Sequence, residues 1–147
     1  MKHMNEVTKE KDEHFKLDER LKADCAFVAN MGLCSLLLKN NASVPWFILV
    51  PNVAHATELT SLPITQQQQV LYEMNQVSAM VTSLYSPDKL NIGALGNVVS
   101  QLHIHVIGRF TNDPAWPRPV WGQLAENAYN EAHLIQQLTD IRAYLRL

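Results

Sequence analysis

Charge is scarce in this sequence: 18% of its 147 residues are Asp, Glu, Lys or Arg, against the usual quarter. With 47% apolar residues, that excludes disorder over most of the length. Positive charge is not in excess either. Twelve Lys and Arg against 14 Asp and Glu give a net charge of -2, so the broad positive field that drives nonspecific nucleic-acid binding is missing. No nucleic-acid partner is expected. Cysteine is nearly absent, and the spacing of Cys25 and Cys34 fits neither a CxxC redox pair nor a zinc site. Both read as reduced, mostly buried thiols, which sets the cytoplasm as the default compartment. Long hydrophobic runs are lacking too. The longest uncharged stretch, Leu90 to Gly108, carries Asn91, Asn97, Ser100, Gln101, His103 and His105, polar groups too costly for a bilayer core. No membrane partner is expected.

The charge that is present is unevenly placed, half of the 26 charged side chains falling in the first 24 residues. Residues 1–14 read as a charged leader without the apolar segment of a secretory signal. Residues 15–147 are of a size for one domain. Leu33 to Leu38 and Trp46 to Val50 read as an antiparallel pair of strands around a turn at Lys39 to Ser43. Pro51 and Asn52 end the second strand. From Thr65 the period changes. Thr65 and Gln68 fit a capping box, and Val70, Leu71, Met74, Val77, Met80, Val81 and Leu84 recur at helical spacing, predicting one long helix over residues 66–85 that stops at Ser86 and Pro87. Gln66 to Gln69 then form a solvated face of that helix. Leu90 to Leu95 and Leu102 to Ile107 read as two more strands, Asp113 to Gly122 has neither period, and a final helix is expected over residues 130–146. Strands, helix and strands without alternating crossovers argue for an antiparallel α+β domain.

The chemistry concentrates in Gln101-Leu102-His103-Ile104-His105-Val106-Ile107. In a strand, Gln101, His103 and His105 share one face while Leu102, Ile104 and Val106 point to the core, and two imidazoles about 7 Å apart can approach one small ligand. A lone strand histidine is usually an ordinary half-exposed residue. Here the pair follows Asn91, Gly93, Gly96, Asn97 and Ser100, a segment whose glycines let backbone N–H groups close on an anion. The combination suggests a phosphate held by backbone and amide donors beside a nucleophile or a general acid.

Asn91-Ile92-Gly93 followed by Gly96-Asn97-Val98-Val99-Ser100-Gln101-Leu102-His103-Ile104-His105-Val106-Ile107-Gly108-Arg109 resembles the signature of the histidine triad (HIT) superfamily. Trp46 to Pro51 resembles that family's preceding strand. Asp113 to Gly122 is similar to the tail of a bacterial branch labelled diadenosine-tetraphosphate-hydrolase-like. The resemblance spans roughly residues 15–147 and implies a HIT-like antiparallel sheet with one long central helix and a C-terminal helix. It also implies nucleotidyl transfer or hydrolysis at an α-phosphate, with a nucleotide as substrate, no cofactor and no metal. His103 would attack phosphorus to form a covalent nucleotidyl-histidine, its tautomer set by the backbone carbonyl at Gln101. His105 would stabilise developing charge. A homodimer is implied as well, with the strand Leu90 to Leu95 and the long helix pairing with their symmetry copies.

The chain departs from the family pattern in two places. Gln101 stands where the first histidine is expected, its amide able to donate to phosphate but not to carry charge, and Trp46 stands where a further histidine falls. Leaving-group protonation is the step these changes touch. Asn91, Gly96, Asn97 and Ser100 match phosphate contacts, and Asn40 or Asn41 matches the ribose region, the spacing not choosing between them and turn chemistry explaining both equally well. Arg109 could face phosphate or end the strand in solvent. The tail tryptophans, Trp116 and Trp121, lie in a region that in the family reaches a symmetry mate's site, or else they cover their own core. Two other functions fit an H-x-H strand: a noncatalytic nucleotide-binding module, and a metal enzyme with a third ligand supplied elsewhere.

Overall fold

Short apolar segments in this chain pair as strands and the two long periodic segments coil as helices, giving an α+β domain. The computed structural model describes residues 14–146. Residues 1–13, which hold nearly all of the expected charged leader, lie outside the described residues. Helix α1 (Glu19–Asp24) leads into strands β1 (Cys25–Asn30), β2 (Cys34–Lys39) and β3 (Trp46–Pro51), followed by helix α2 (Ile64–Tyr85), strands β4 (Lys89–Gly93) and β5 (Ile104–Arg109), and helix α3 (Glu131–Leu145). The strands form one antiparallel sheet in the order β1-β2-β3-β5-β4.

Side-chain alternation divides the core between the two faces of that sheet. Leu36, Leu38, Phe47, Leu49, Ile104 and Val106 face Val70, Val77, Met80 and Val81 of α2 and Ile141 of α3. Each fully buried aliphatic side chain contributes about 1.5–3 kcal/mol. Leu37, Trp46, Ile48, Val50 and Ile107 face the other way, where Leu21 and Val120 cover them. This second layer is thin, made by α1 and an irregular C-terminal segment instead of a long helix. It is the face that carries the site.

The helix boundaries differ from the sequence expectation in an instructive way. α2 starts two residues early, after Pro63, and no side chain caps it, so Thr65 lies inside the helix and the expected capping box is not made. Its buried face is also not the apolar stripe alone. Leu71 is 52% exposed while Gln69 and Glu73 are buried, so Gln69 leaves the solvated face expected for residues 66–69. The Glu73 carboxylate accepts the N–H groups of Leu33 (3.2 Å) and Cys34 (2.8 Å) and the Gln69 amide (2.8 Å). Those donors turn the chain from β1 into β2, and a buried donor left without a partner costs about 1–3 kcal/mol. Ser86 ends the helix in the left-handed region with Pro87 behind it, as expected. Asn130 caps α3 by accepting the His133 N–H. Arg142 of α3 then donates to the carbonyls of Val28 and Phe27, at the point where β1 bulges between Phe27 and Ala29.

Candidate functional site

The ladder between β3 and β5 runs from Trp46 opposite Ile107 to Leu49 opposite Ile104. Strand β5 therefore begins at Ile104, two residues later than the alternation predicts, and Gln101 and His103 lie outside it. The reason is local: the Leu102 N–H is taken by the Ala56 carbonyl at 2.9 Å, which holds that stretch off the ladder. Leu102, Ile104 and Val106 still pack in the core. The two imidazoles come together from a loop and a strand, their centroids 5.0 Å apart and their planes at 66°.

Each ring is fixed at Nδ1. The Gln101 carbonyl lies 2.6 Å from His103 Nδ1, and because a carbonyl only accepts, that nitrogen carries the proton and Nε2 keeps its lone pair. His105 is the mirror case: the Trp46 indole N–H donates to its Nδ1 at 2.9 Å. Both histidines are 7% exposed. Burial, then the neighbouring His103 ring, then Lys39, push His105 down to about 4, so it is neutral near pH 7. Trp121 stands edge-on to His105 at 5.3 Å and to Trp46 at 6.5 Å. A Cβ on Gly93 would lie 3.4 Å from the Trp121 ring, which places the tryptophan against β4. Trp121 thus covers His105 and Trp46 in its own chain.

The remaining expected site residues divide. Gln101 meets His103 through its main chain, but its side chain is turned away from the expected phosphate role. Its Oε1 accepts the Asp18 N–H at 2.8 Å and its Nε2 donates to the Lys16 carbonyl at 2.7 Å, pinning the segment ahead of α1 beside the site. Gly96 has φ +71°, a conformation open to glycine at no steric cost. Gly96, Asn97 and Ser100 lie in the irregular loop between β4 and β5. Arg20 steadies that loop by donating to the Val98 carbonyl. Ser100 and Gln101 border a cavity of about 420 Å³ that Phe15, Lys16 and His55 also line. His55 there has φ +61°.

Other expected contact residues make structural hydrogen bonds. Asn91 accepts from the Arg109 guanidinium at 2.8 Å. Arg109 is 1% exposed, bound to Asp113 at 2.8 and 3.1 Å and stacked on Trp116, so it faces neither phosphate nor solvent. Asn40 accepts the Tyr129 N–H, while Asn41 donates to the Ala125 carbonyl and accepts the Ser43 N–H. These two hold the stretch leading into α3, and Asn41 also makes the local turn bond to Ser43. Among the described residues, no three or more of His, Cys, Asp and Glu gather as a metal-binding group, and no helix is long and apolar enough to cross a membrane. Sequence reasoning passed over Trp46 as a hydrogen-bonding partner and Trp121 as the ring against His105.

Comparison with known proteins agrees with this arrangement. The HIT domain family matches residues 20–112. A histidine triad protein from Bradyrhizobium japonicum is 38% identical with a TM-score of 0.88, over 90% of this chain and 98% of its own. One from Sinorhizobium meliloti is 40% identical with a TM-score of 0.86, over 88% and 96%. One from Marinobacter aquaeolei is 41% identical with a TM-score of 0.88, over 90% and 97%. No curated protein matches the chain.

Proposed function

Because the chain belongs to the HIT domain family, we propose that it is a nucleotide hydrolase or nucleotidyl transferase acting at the α-phosphate of a nucleoside polyphosphate or phosphoramidate, diadenosine polyphosphates among them. The observation that carries this reading is the 2.6 Å contact between the Gln101 carbonyl and His103 Nδ1. It leaves the His103 Nε2 lone pair as an oriented nucleophile for phosphorus. His105, 5.0 Å away between centroids, presents its own Nε2–H to the phosphoryl oxygens and stabilises charge that develops there. Gly96, Asn97 and Ser100 supply neutral donors from the loop beside it. No cofactor takes part in this scheme.

The experiment is rapid-quench mass spectrometry with an adenosine 5′-phosphoanhydride. A transient mass increase of one adenylyl group, lost in His103→Ala, supports the covalent route. Turnover with no adduct and no dependence on His103 rejects it. A nucleotide-binding module without turnover is the second reading, favoured by the engagement of the Gln101 amide with the backbone of Lys16 and Asp18. Nucleotide binding with no product from any α-phosphate substrate would select it.

The reading includes a homodimer. β4 is the last strand of the sheet, and Ile92 on it, with Ile64, Leu71 and Tyr72 on α2, are exposed apolar side chains that a symmetry copy would cover. Sedimentation at micromolar concentration returning the mass of one chain would reject this part. It also includes a cytoplasmic setting, supported by Cys25 and Cys34 being free thiols.

A further inference from the structure

His105 is held at one atom by a group that can only give a proton. The Trp46 indole N–H meets Nδ1 at 2.9 Å, and an indole nitrogen has no acceptor lone pair to offer in return. Nδ1 therefore keeps its lone pair, and the single proton of the neutral ring sits on Nε2. A second proton on Nδ1 would set two N–H groups head to head. Burial beneath Trp121 at 5.3 Å, the His103 ring at 5.0 Å and the Lys39 ammonium, 5.4 Å from the centroid of the Trp46 ring, oppose that cation too. Among the described residues, no carboxylate forms an ion pair with the ring.

We propose that Trp46 is a positioning and specificity-determining residue: it fixes His105 as an uncharged Nε2–H donor, so that the site cleaves bonds whose leaving group departs as an anion and discriminates against those whose leaving group must be protonated as it goes. The proposal rests on the reading that His103 attacks an α-phosphate. In that step the Nε2 lone pair of His103 forms the phosphorus–nitrogen bond while the bond from phosphorus to the bridging atom breaks, its electron pair leaving on that atom. When the bridging atom is the oxygen of a phosphoanhydride, the departing phosphate spreads the charge over its oxygens. A hydrogen bond from His105 is then sufficient, and the proton stays on the ring.

When the bridging atom is the nitrogen of a phosphoramidate, the departing amine needs a proton, and giving up the only one would turn neutral His105 into an imidazolate. Gln101 offers no acid in its place, since an amide does not ionise near neutral pH and its two ends hold Lys16 and Asp18. In the second step water attacks phosphorus and the phosphorus–nitrogen bond breaks. Its electron pair returns to His103 Nε2, and the proton that water loses goes to solvent.

The test pairs a spectrum with a rate ratio. Long-range ¹⁵N correlation on the ligand-free protein reads the His105 tautomer directly, and we expect a protonated Nε2 with bare Nδ1 from pH 8 to pH 5. Turnover is then compared for an adenosine phosphoanhydride and an adenosine phosphoramidate of an alkylamine, in wild type and in Trp46→Phe, which keeps a ring but loses the N–H. We expect wild type to favour the anhydride by about 100-fold in kcat/KM. In Trp46→Phe, His105 Nδ1 loses its fixed donor, so the spectrum should show both tautomers, and the ratio should fall by about 10-fold, mainly through a higher kcat on the phosphoramidate.

A protonated Nδ1 in wild type, a wild-type ratio at or below one, or a ratio unchanged in a folded Trp46→Phe would each overturn the proposal. The first two need no variant. Anhydride turnover that survives His103→Ala would sink the nucleophile and with it the step on which this specificity is built. The wild-type spectrum keeps that failure separate from a failure of the tautomer.

Discussion

Two polar clusters sit at opposite ends of β5, and they use their hydrogen-bonding capacity differently. At the far end, Arg109 and Asp113 are a buried ion pair with side chains 1% and 2% exposed. The Asp113 carboxylate also accepts the N–H groups of Phe110, Ala115 and Trp116, and Arg109 adds Asn91 and the Trp116 ring. Burial alone would raise Asp113, but the guanidinium and these N–H groups outweigh it and hold the carboxyl at about 2. At the near end His103 and His105 are also buried, yet each is tied at Nδ1, which leaves Nε2 outside that bond. A polar cluster whose bonds close on itself is structure. One that is held at a single nitrogen of each ring is a candidate site.

The largest break in this comparison is His103→Ala. It removes the proposed nucleophile without touching the sheet, so turnover should fall by about four orders of magnitude or more while nucleotide affinity changes little. Steady-state kinetics with calorimetric binding on the same preparation measures both. Asp113→Ala is the counterpart at the other end. It leaves the Arg109 charge buried without its partner, which costs about 3–5 kcal/mol, read as a lower urea midpoint. The folded fraction should retain its turnover. Replacing both residues by apolar ones, Arg109→Met with Asp113→Leu, should recover part of that loss.

The clusters also separate on the pH axis. The folded state holds His105 at about 4 against an ordinary 6.5, so between those values the unfolded chain binds a proton the folded chain refuses. Stability from this group is fully present above pH 6.5 and is lost as pH falls toward 4, by up to about 3 kcal/mol. Asp113 is held near 2 against 3.8, so its contribution is present above 3.8 and disappears only between about 4 and 2. Denaturation from pH 7 to pH 4 should therefore show a slope that His105→Gln flattens and that Asp113→Asn leaves unchanged.

What the sequence made legible follows the range of the interaction. The β2–β3 pair, α2 and α3 declare themselves through period, and the two histidines through their spacing. β1 carries a bulge and half-exposed side chains, so its alternation is broken and it went unread. The true start of β5 depends on Ala56 taking the Leu102 N–H, which no pattern within residues 101–107 encodes. Glu73 sits on a buried helix face because its partners are backbone groups about forty residues earlier. Trp46 meets His105 across 59 residues, and Gln101 meets Lys16 across 85. Contacts at that separation arise only when the sheet has formed, and the one from Trp46 decides which tautomer His105 takes.

Gln101 joins the two kinds of region in one residue: its carbonyl serves the site, while its amide closes bonds with the segment ahead of α1. Gln101→Ala separates them. The carbonyl remains, so the His103 Nε2 lone pair and its reactivity should persist, with turnover of a phosphoanhydride within a few-fold of wild type. The two amide bonds to Lys16 and Asp18 disappear, and at about 1 kcal/mol each their loss should appear as faster hydrogen exchange at the Asp18 amide, local to that segment. Gln101→His should act alike, because a ring nitrogen cannot accept from Asp18 and donate to Lys16 in the geometry of the amide. If either variant abolishes turnover while Asp18 exchange stays slow, the glutamine side chain acts on the phosphate after all, and the division between its two halves is wrong.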